Sequence, residues 1–387
     1  MQKKIIALAV AGLVSGVAFA QSNVVIYGVA DMGYVYADDY AGTSAAAKDT
    51  KAIHKMYSGG QSGSRLGFKG TEDLGNGLAA NFRLESGLNM DNGGAAQNGS
   101  TFSRWATVGL SGKNWGEVQF GRRDTLSDEI LGGLDTNGRV TVAQVSPVMK
   151  DVARWDNMAT YISPVMNGLV VKAAVSTNVS DGQATAPVGA NYSSEVTAAP
   201  VTAGSNDLSK TNVRGYALSA RYDNGPLKLG AQYDYYDPQG VDGSNYDSAN
   251  QWTVAGRYDF GVVQLAAQYG EINYGKNTSG RIGSGFNSGD LDKRTQWTAG
   301  VMVPVSARAR VAVSYAYGED QFLSSANRKD EDQSMWGISA FYDLSKRTNL
   351  YAAYGDISQD QDNKYLVGID GQDKYQKAFQ VGIRHLF

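Results

Sequence analysis

The nine residues LKLGAQYDY (227–235) carry the pattern that decides the fold, because every second side chain is apolar. Leu227, Leu229, Ala231, Tyr233 and Tyr235 share one face of an extended chain, and polar or small residues take the other. This period of two is typical of a β-strand with one apolar side. The stretch WTVAGRYDF (252–260) repeats the pattern, and the same split recurs along the chain to its last residue. The chain is therefore predicted to be all-β.

Turn sequences divide the chain into sixteen such strands. Seven tight turns are predicted at 71–77, 112–116, 164–168, 223–226, 259–261, 304–308 and 343–348. Eight longer polar connections alternate with them, at about 38–60, 90–100, 123–153, 178–212, 238–250, 274–294, 319–333 and 358–374. This alternation predicts an antiparallel up-and-down meander with tight turns at one edge and long loops at the other. Each predicted strand has about the 9–11 residues that a tilted membrane strand requires.

The N-terminus predicts export. Lys3 and Lys4 precede an apolar run over 5–19 that closes on a small-x-small site at Ala20, as in a secretory signal peptide. We expect residues 1–20 to be the signal peptide and residues 21–387 to form one domain. A membrane anchor is the weaker interpretation, because the run is shorter than the ~20 residues of a spanning helix.

Composition excludes several classes of function. The chain has no cysteine and two histidines, so neither disulfides nor a transition-metal site is expected, and no cofactor is predicted. The net charge of −3 becomes about −5 once Lys3 and Lys4 are removed, which gives no reason to expect a nucleic-acid partner.

The apolar face of each strand could point into a soluble core or out into lipid. Aromatic residues lie near strand ends in register with the apolar face, as in the interfacial girdles of membrane barrels. An even and large strand number closes around a wide interior that needs polar side chains, and closure removes unpaired strand edges. We therefore expect a 16-stranded antiparallel transmembrane β-barrel rather than a soluble all-β protein.

Longer motifs resemble a known family. They are VVIYGVADMGY (24–34), SGSRLGFKGTEDLGNGLAANFRLESG (62–87), GEVQFGRRD (116–124), TYISPVMNGL (160–169), YDLSKRTNLY (342–351) and VGIRHLF (381–387). These stretches are similar to Gram-negative general porins of the beta-proteobacterial type. The resemblance implies a homotrimer in the outer membrane, in contact with its lipids and lipopolysaccharide. It also implies a water-filled channel for passive transport of ions and small hydrophilic solutes.

The resemblance further implies a constriction midway along the channel, where the third long loop (123–153) folds inward. The loop would contribute Asp128, Glu129 and Asp135, and the facing wall would contribute Arg65, Arg104, Arg154 and Glu85, with Lys69 and Arg83 nearby by strand parity. Strand parity separately places Arg65, Lys69, Arg83 and Glu85 on the polar, inward face. For Arg104 and Arg154 parity disagrees, because apolar residues share their face, and these two rest on the resemblance.

Opposed arginines and carboxylates in a narrow pore set ion preference, and low-dielectric walls strengthen their field. The wall arginines predict a weak preference for anions, which the loop carboxylates oppose. A substrate-specific channel and a barrel adhesin remain alternatives. An enzyme is disfavoured, because neither His54 nor His385 has a convincing catalytic partner in sequence.

The C-terminus ends in mid-strand on QVGIRHLF (380–387). Its alternation predicts a last strand that pairs with the first strand to close the barrel. Within the resemblance, Phe387 with Ile383 and His385 at alternate positions is similar to the signal that the barrel-assembly machinery reads.

Overall fold

A computed structural model describes residues 23–38, 52–96, 100–137, 142–179, 211–240, 247–275, 291–323, 329–359, 367–369 and 373–387. The predicted signal peptide and most of the fourth long loop lie outside these ranges. Among the described residues no helix is long and apolar enough to cross a membrane.

Nineteen strands and one helix are present in the described residues. The strands are β1 (Asn23–Asp38), β2 (Ile53–Ser58), β3 (Arg65–Gly75), β4 (Leu78–Gly87), β5 (Trp105–Gly112), β6 (Gly116–Asp124), β7 (Arg154–Ile162), β8 (Leu169–Ser176), β9 (Thr211–Asn224), β10 (Leu227–Gly240), β11 (Ala249–Asp259), β12 (Gln264–Asn273), β13 (Leu291–Pro304), β14 (Ala309–Phe322), β15 (Glu331–Asp343), β16 (Thr348–Gln359), β17 (Val367–Ile369), β18 (Asp373–Tyr375) and β19 (Lys377–Leu386). The helix, α1, spans Leu126–Gly133.

Sixteen of these described strands close into one antiparallel barrel, as the sequence predicts. They are β1, β3 to β16 and β19, each paired with its neighbours along the chain. The first and last strands complete the ring, from Val29 opposite Leu386 to Asp38 opposite Lys377. The backbone of Phe387 extends this pairing, since Gly28 N donates to Phe387 O at 3.0 Å and Phe387 N donates to Gly28 O at 3.2 Å.

All seven predicted tight turns lie between consecutive barrel strands, and the eight long connections lie at the opposite edge. Three strands inside the long connections were missed. β2 lies in the first long loop and pairs with the long-loop half of β1, and β17 and β18 form a small hairpin in the last one. The first long connection therefore runs to the start of β3, beyond the predicted end at residue 60.

Exposed outward residues are apolar, and many inward residues are polar. Val108 and Leu218 are 60% and 55% exposed, whereas the inward Gln232, Thr253 and Gln296 are buried. A water-soluble barrel has the reverse arrangement, so this barrel is built for lipid outside and water inside. Near the long-loop end of β10 to β16 an outward belt of aromatic rings includes Tyr233, Trp252, Tyr269, Trp297, Tyr315, Trp336 and Tyr354.

The third long loop runs from the end of β6 to the start of β7 and carries α1. Thr125 caps the helix by accepting a hydrogen bond from Asp128 N at 3.1 Å, and acidic Asp128 and Glu129 follow in the first turn. Both features favour helix initiation at this point. Leu126, Ile130 and Leu134 pack against inward residues of the barrel wall, so the loop lies inside the barrel.

Candidate functional site

A cavity of about 580 Å³ lies in the lumen between the barrel wall and the third loop. Its charged lining residues are Arg65, Arg83, Arg104 and Arg384 from the wall side, and Glu85, Asp124, Asp128 and Glu129. The structure therefore brings together six of the nine constriction residues named from the sequence. It adds Asp124 and Arg384, together with Gln61, Ser62 and Gly63 from the first loop.

Glu85 is the centre of the wall side of this cavity and is 1% exposed. Its Oε1 accepts a hydrogen bond from Arg104 Nε at 2.7 Å, and its Oε2 accepts from an Arg83 terminal nitrogen at 2.7 Å. Tyr27 donates to the same Oε2 at 2.8 Å and itself accepts from Arg83 Nε at 2.8 Å. Arg65 also lines the cavity, so the wall side has three arginines around a single carboxylate and carries an excess of positive charge.

Two of the three loop-side carboxylates in the cavity lining, Asp124 and Glu129, form ion pairs with cations that do not line the cavity. Glu129 forms ion pairs with Arg123 and Lys172, and Asp124 forms one with Arg154 at 2.8 Å. Trp105 Nε1 also donates to Asp124 at 3.0 Å. The two sides thus differ, because Glu129 and Asp124 each have a cationic partner outside the cavity whereas Arg83 and Arg104 share Glu85.

Three predicted residues lie outside the cavity. Arg154 is behind it, with a side chain 6% exposed, and acts on the cavity through Asp124. Asp135 lies farther along the loop beside a much smaller cavity and accepts a hydrogen bond from Asn137 N at 3.0 Å. Lys69 faces the lumen nearby, with its ammonium 5.2 Å from the centre of the Tyr27 ring.

The disagreement over Arg104 has a structural cause. Arg104 precedes the first residue of β5 and belongs to a turn, so the alternation of the strand does not apply to it. The cause is different for Arg154, because β7, the strand that it begins, is irregular. Asn157 has a φ of 51°, and the pairing register of β6 with β7 shifts between Gly121 and Arg123. Such a bulge changes which residues point inward.

The third loop is anchored to the far wall by side chains that bind its backbone. Gln296 accepts from Lys150 N and donates to Lys150 O, both at 2.8 Å. Arg294, fully buried, donates to Val148 O at 2.8 Å and forms an ion pair with Asp320 at 2.7 Å. Gln268 donates to Leu131 O at 3.0 Å. These contacts fix the loop without using the residues that face the cavity.

Inward glycines give the loop room to approach the wall. A Cβ at Gly337 would lie 2.5–2.9 Å from three backbone atoms of Ala143, and one at Gly230 would lie 2.9 Å from the side chain of Ile130. Cβ atoms do not tolerate backbone atoms below 3.0 Å. A Cβ at Gly355 would likewise meet the backbone of Val142, and one at Gly300 would meet the side chain of Thr136. The loop therefore lies along a row of glycines on the wall.

Arg384 is the cavity residue that the sequence interpretation missed despite a usable signal. In QVGIRHLF it alternates with Ile383 and His385, which places it on the inward face. It donates through Nε to Asn349 Oδ1 at 3.0 Å. In contrast, Arg294 and Gln296 have no local sequence signal that links them to a loop about 146 residues away. Within the part of the chain that the structure describes, no group of His, Cys, Asp and Glu could hold a metal ion.

Comparison with known proteins agrees with this geometry. A model of the Gram-negative porin family matches residues 7–362. An outer membrane porin protein of Bordetella pertussis is 32% identical over the full length of both chains. The anion-selective porin from Comamonas acidovorans has a similar fold, with a TM-score of 0.69 at 24% identity over 95% of this chain and 100% of that one. A trimer form of OmpT from Vibrio cholerae gives a TM-score of 0.57 at 15% identity, over 95% of this chain and 99% of that one.

Proposed function

The chain belongs to the Gram-negative porin family, and on this basis we propose that it is an outer-membrane diffusion channel whose constriction favours anions. The barrel has lipid-facing apolar residues outside and a polar lumen inside. Ions and small hydrophilic solutes cross through the 580 Å³ cavity beside the third loop. The family and the fold are those of channels, and the proposal includes no catalytic step.

One observation carries the preference for anions: Arg83 and Arg104 of the cavity wall share the single carboxylate of Glu85, whereas Glu129 and Asp124 on the loop side are each paired with cations that do not line the cavity. Fixed positive charge at a constriction raises the local concentration of anions and lowers that of cations. The Comamonas porin of similar fold is anion-selective, which supports the same direction.

The proposal extends to assembly. Three copies associate through the outward face of β3 to β8, since the long-loop ends of β4, β5 and β8 carry Ser86, Ala106 and Val175 where β10 to β16 carry the aromatic belt. Aromatic girdles mark the boundary with lipid, so this sector is suited to contact between subunits. The trimer form of the Vibrio protein supports the same number of copies. Residues 1–20 are removed during export, and the intact mass of the purified protein checks this cleavage.

The test is the reversal potential of single channels in planar bilayers under a KCl gradient. A double variant, Arg65→Ser with Arg104→Ser, should lower the anion-to-cation permeability ratio at least fivefold, from the loss of two charges beside the permeating ion. The control is Lys346→Ser with Arg347→Ser, which removes the same charge from an exposed tight turn.

Three outcomes would count against the proposal. An unchanged ratio in the Arg65 and Arg104 variant would contradict the preference for anions. Block of the wild-type current by one solute at low concentration would instead indicate a substrate-specific channel. Absence of any conductance from well-folded protein would contradict the channel itself and favour a surface-interaction role.

A further inference from the structure

A second loop segment folds into the lumen. Residues 59–64, GGQSGS, follow β2 in the first long loop and are called here the 59–64 segment. Gln61 and Ser64 are 3% and 2% exposed, and Gln61, Ser62 and Gly63 line the 580 Å³ cavity. The segment is therefore part of the cavity wall rather than of the outer surface.

Asp31 on β1 holds this segment. One carboxylate oxygen of Asp31 accepts hydrogen bonds from Gln61 N at 2.9 Å and from Ser62 N at 2.7 Å. Ser64 Oγ accepts from Asp31 N at 3.1 Å and donates to Asp31 O at 3.0 Å, and Gly59 N donates to the same carbonyl at 2.9 Å. Five hydrogen bonds thus connect one fully buried residue to both ends of the segment.

Tyr351 on β16 completes the attachment by reaching across β19. Its hydroxyl donates to the second carboxylate oxygen of Asp31 at 2.7 Å. The crossing is possible because the positions beside the ring are glycines: a Cβ at Gly33 would lie 2.9 Å from the Tyr351 hydroxyl, and Cβ atoms at Gly60 and Gly382 would lie closer still. Three barrel strands and the loop segment therefore meet at one carboxylate.

The segment also contacts the charged residues of the cavity. Ser62 Oγ accepts a hydrogen bond from an Arg65 terminal nitrogen at 3.1 Å. Gln61 Oε1 accepts from Asn349 Nδ2 at 2.6 Å, and Asn349 in turn accepts from Arg384 at 3.0 Å. Through these contacts the segment orients one cavity arginine directly and is linked to another.

We infer that the 59–64 segment is a second constricting element of the channel, latched to the wall by Asp31 and positioning Arg65 beside the permeating ion. This inference rests on the proposed channel function. Two inward segments then bound the cavity, namely the third loop with its carboxylates and the 59–64 segment, which positions Arg65 of β3. Asp31 and Tyr351 are positioning residues, because they act on the cavity through the segment.

The absence of cysteine from the chain allows a direct test. In a Ser62→Cys variant the new thiol is the single one in the protein, and a negatively charged methanethiosulfonate reagent is added to conducting channels in a planar bilayer. We expect a stepwise loss of current and a shift of the reversal potential toward cation preference, since the reagent adds volume and negative charge beside Arg65. The matched control is Ser345→Cys in an exposed tight turn, where labelling should leave the current unchanged.

A second variant tests the latch. Asp31→Ala in the Ser62→Cys background removes the acceptor of three side-chain and backbone donors, so the segment should leave the wall. We expect a higher conductance before labelling and a smaller loss of current after it. Tyr351→Phe, which keeps the ring and removes one donor, is the milder variant if Asp31→Ala assembles poorly, and it should shift both readouts in the same direction.

The outcomes separate the inference from the channel proposal. If the wild type conducts and Ser62→Cys is labelled by mass without loss of current, or is not labelled in open channels, the segment does not constrict the pore. If both latch variants respond to the reagent as Ser62→Cys alone does, Asp31 does not hold the segment. If the wild type fails to conduct, it is the channel proposal that fails.

Discussion

Replacing Glu85 by Gln is the sharpest test of the constriction electrostatics. The carboxylate accepts hydrogen bonds from Arg83, Arg104 and Tyr27 at 2.7–2.8 Å and is almost fully buried. Gln has the same shape and keeps one acceptor oxygen, but it removes the negative charge that the wall arginines share. The cavity therefore gains one net positive charge without a large change in volume.

The size of the effect follows from the geometry. A sphere of 580 Å³ is about 10 Å across, so an ion at its centre passes about 5 Å from the wall. At that distance two unit charges interact by ~0.8 kcal/mol in water, and screening over a Debye length of ~10 Å at 0.1 M salt leaves ~0.5 kcal/mol. Anions gain this energy and cations lose it, a difference of ~1 kcal/mol. Because 1.4 kcal/mol corresponds to tenfold, the anion-to-cation permeability ratio should rise about fivefold.

The substitution also has a cost in stability. The amide oxygen can accept at most two of the three hydrogen bonds, because the amide nitrogen is a donor, and each retained bond falls from ~1.5–3 kcal/mol to ~0.5–1.5 kcal/mol. The free energy of unfolding should therefore fall by ~4 kcal/mol, from about 1 kcal/mol for each retained bond and about 2 kcal/mol for the lost one. Reversal potentials in a KCl gradient measure the first effect, and urea titration of the purified barrel measures the second.

Glu72→Gln is the matched control, because it removes the same charge from the exposed, short-turn end of β3. It should change neither the permeability ratio nor the unfolding free energy appreciably. A ratio in Glu85→Gln equal to that of the control would refute the assignment of the wall arginines as the source of anion preference. A lower ratio would show that the sign of the field is wrong.

Two further predictions concern the contacts that hold the third loop against the barrel wall. Gly337→Ala should destabilise the barrel by ~1–3 kcal/mol, because its Cβ would lie 2.5–2.9 Å from the backbone of Ala143. The control is Gly256→Ala, which should stabilise the barrel by ~0.4–1 kcal/mol because the nearest neighbour of its Cβ is at 3.4 Å. Equal free energies of unfolding in urea for the two variants would contradict the close approach of Ala143 to Gly337. Burial and the nearby Arg294 guanidinium lower the pKa of Lys150 from its ordinary value of 10.5 to about 7, although Asp320 and Glu331 act in the opposite direction. Because this folded-state pKa lies below the unfolded one, the charged ammonium destabilises the folded loop fully below about pH 7 and progressively less as the pH rises toward 10.5. Lys150→Met should therefore raise thermal stability more at about pH 6 than at about pH 10, and an equal increment at both would argue against a buried, strained charge.

Alternation and turn chemistry were enough to predict the barrel, because each strand has one lipid face and one water face over its whole length. The same rule placed Arg65, Lys69, Arg83 and Glu85 in the lumen, where the structure has them. It failed where the chain is not regular, at the turn before β5 that holds Arg104. It also failed at Met158, which is apolar but inward and 2% exposed, because α1 covers it.

The attachment of the third loop and of the 59–64 segment could not be predicted from local sequence patterns, for a different reason. It depends on pairs of residues that are distant in sequence, such as Asp31 with Tyr351 and Lys150 with Gln296. The sequence around one member of such a pair does not indicate which residue is its partner. The first long loop looked like the rest of the polar connections, although GGQSGS is the part that enters the lumen. The family resemblance predicted that the third loop folds inward, and it predicted nothing of this kind for the first loop.

The glycines offer a signal that alternation does not use. Inward positions in a wide barrel need polar groups for water, yet Gly230, Gly300, Gly337 and Gly355 stand at inward positions of β10, β13, β15 and β16, and each meets the third loop. Gly33 and Gly382 stand inward on β1 and β19 and meet Tyr351 beside the 59–64 segment. A glycine costs strand stability, and within a strand it often marks the close approach of another part of the chain. The inward glycines of β10, β13, β15 and β16 therefore mark where the third loop lies against the wall, and those of β1 and β19 mark where Tyr351 passes beside the 59–64 segment.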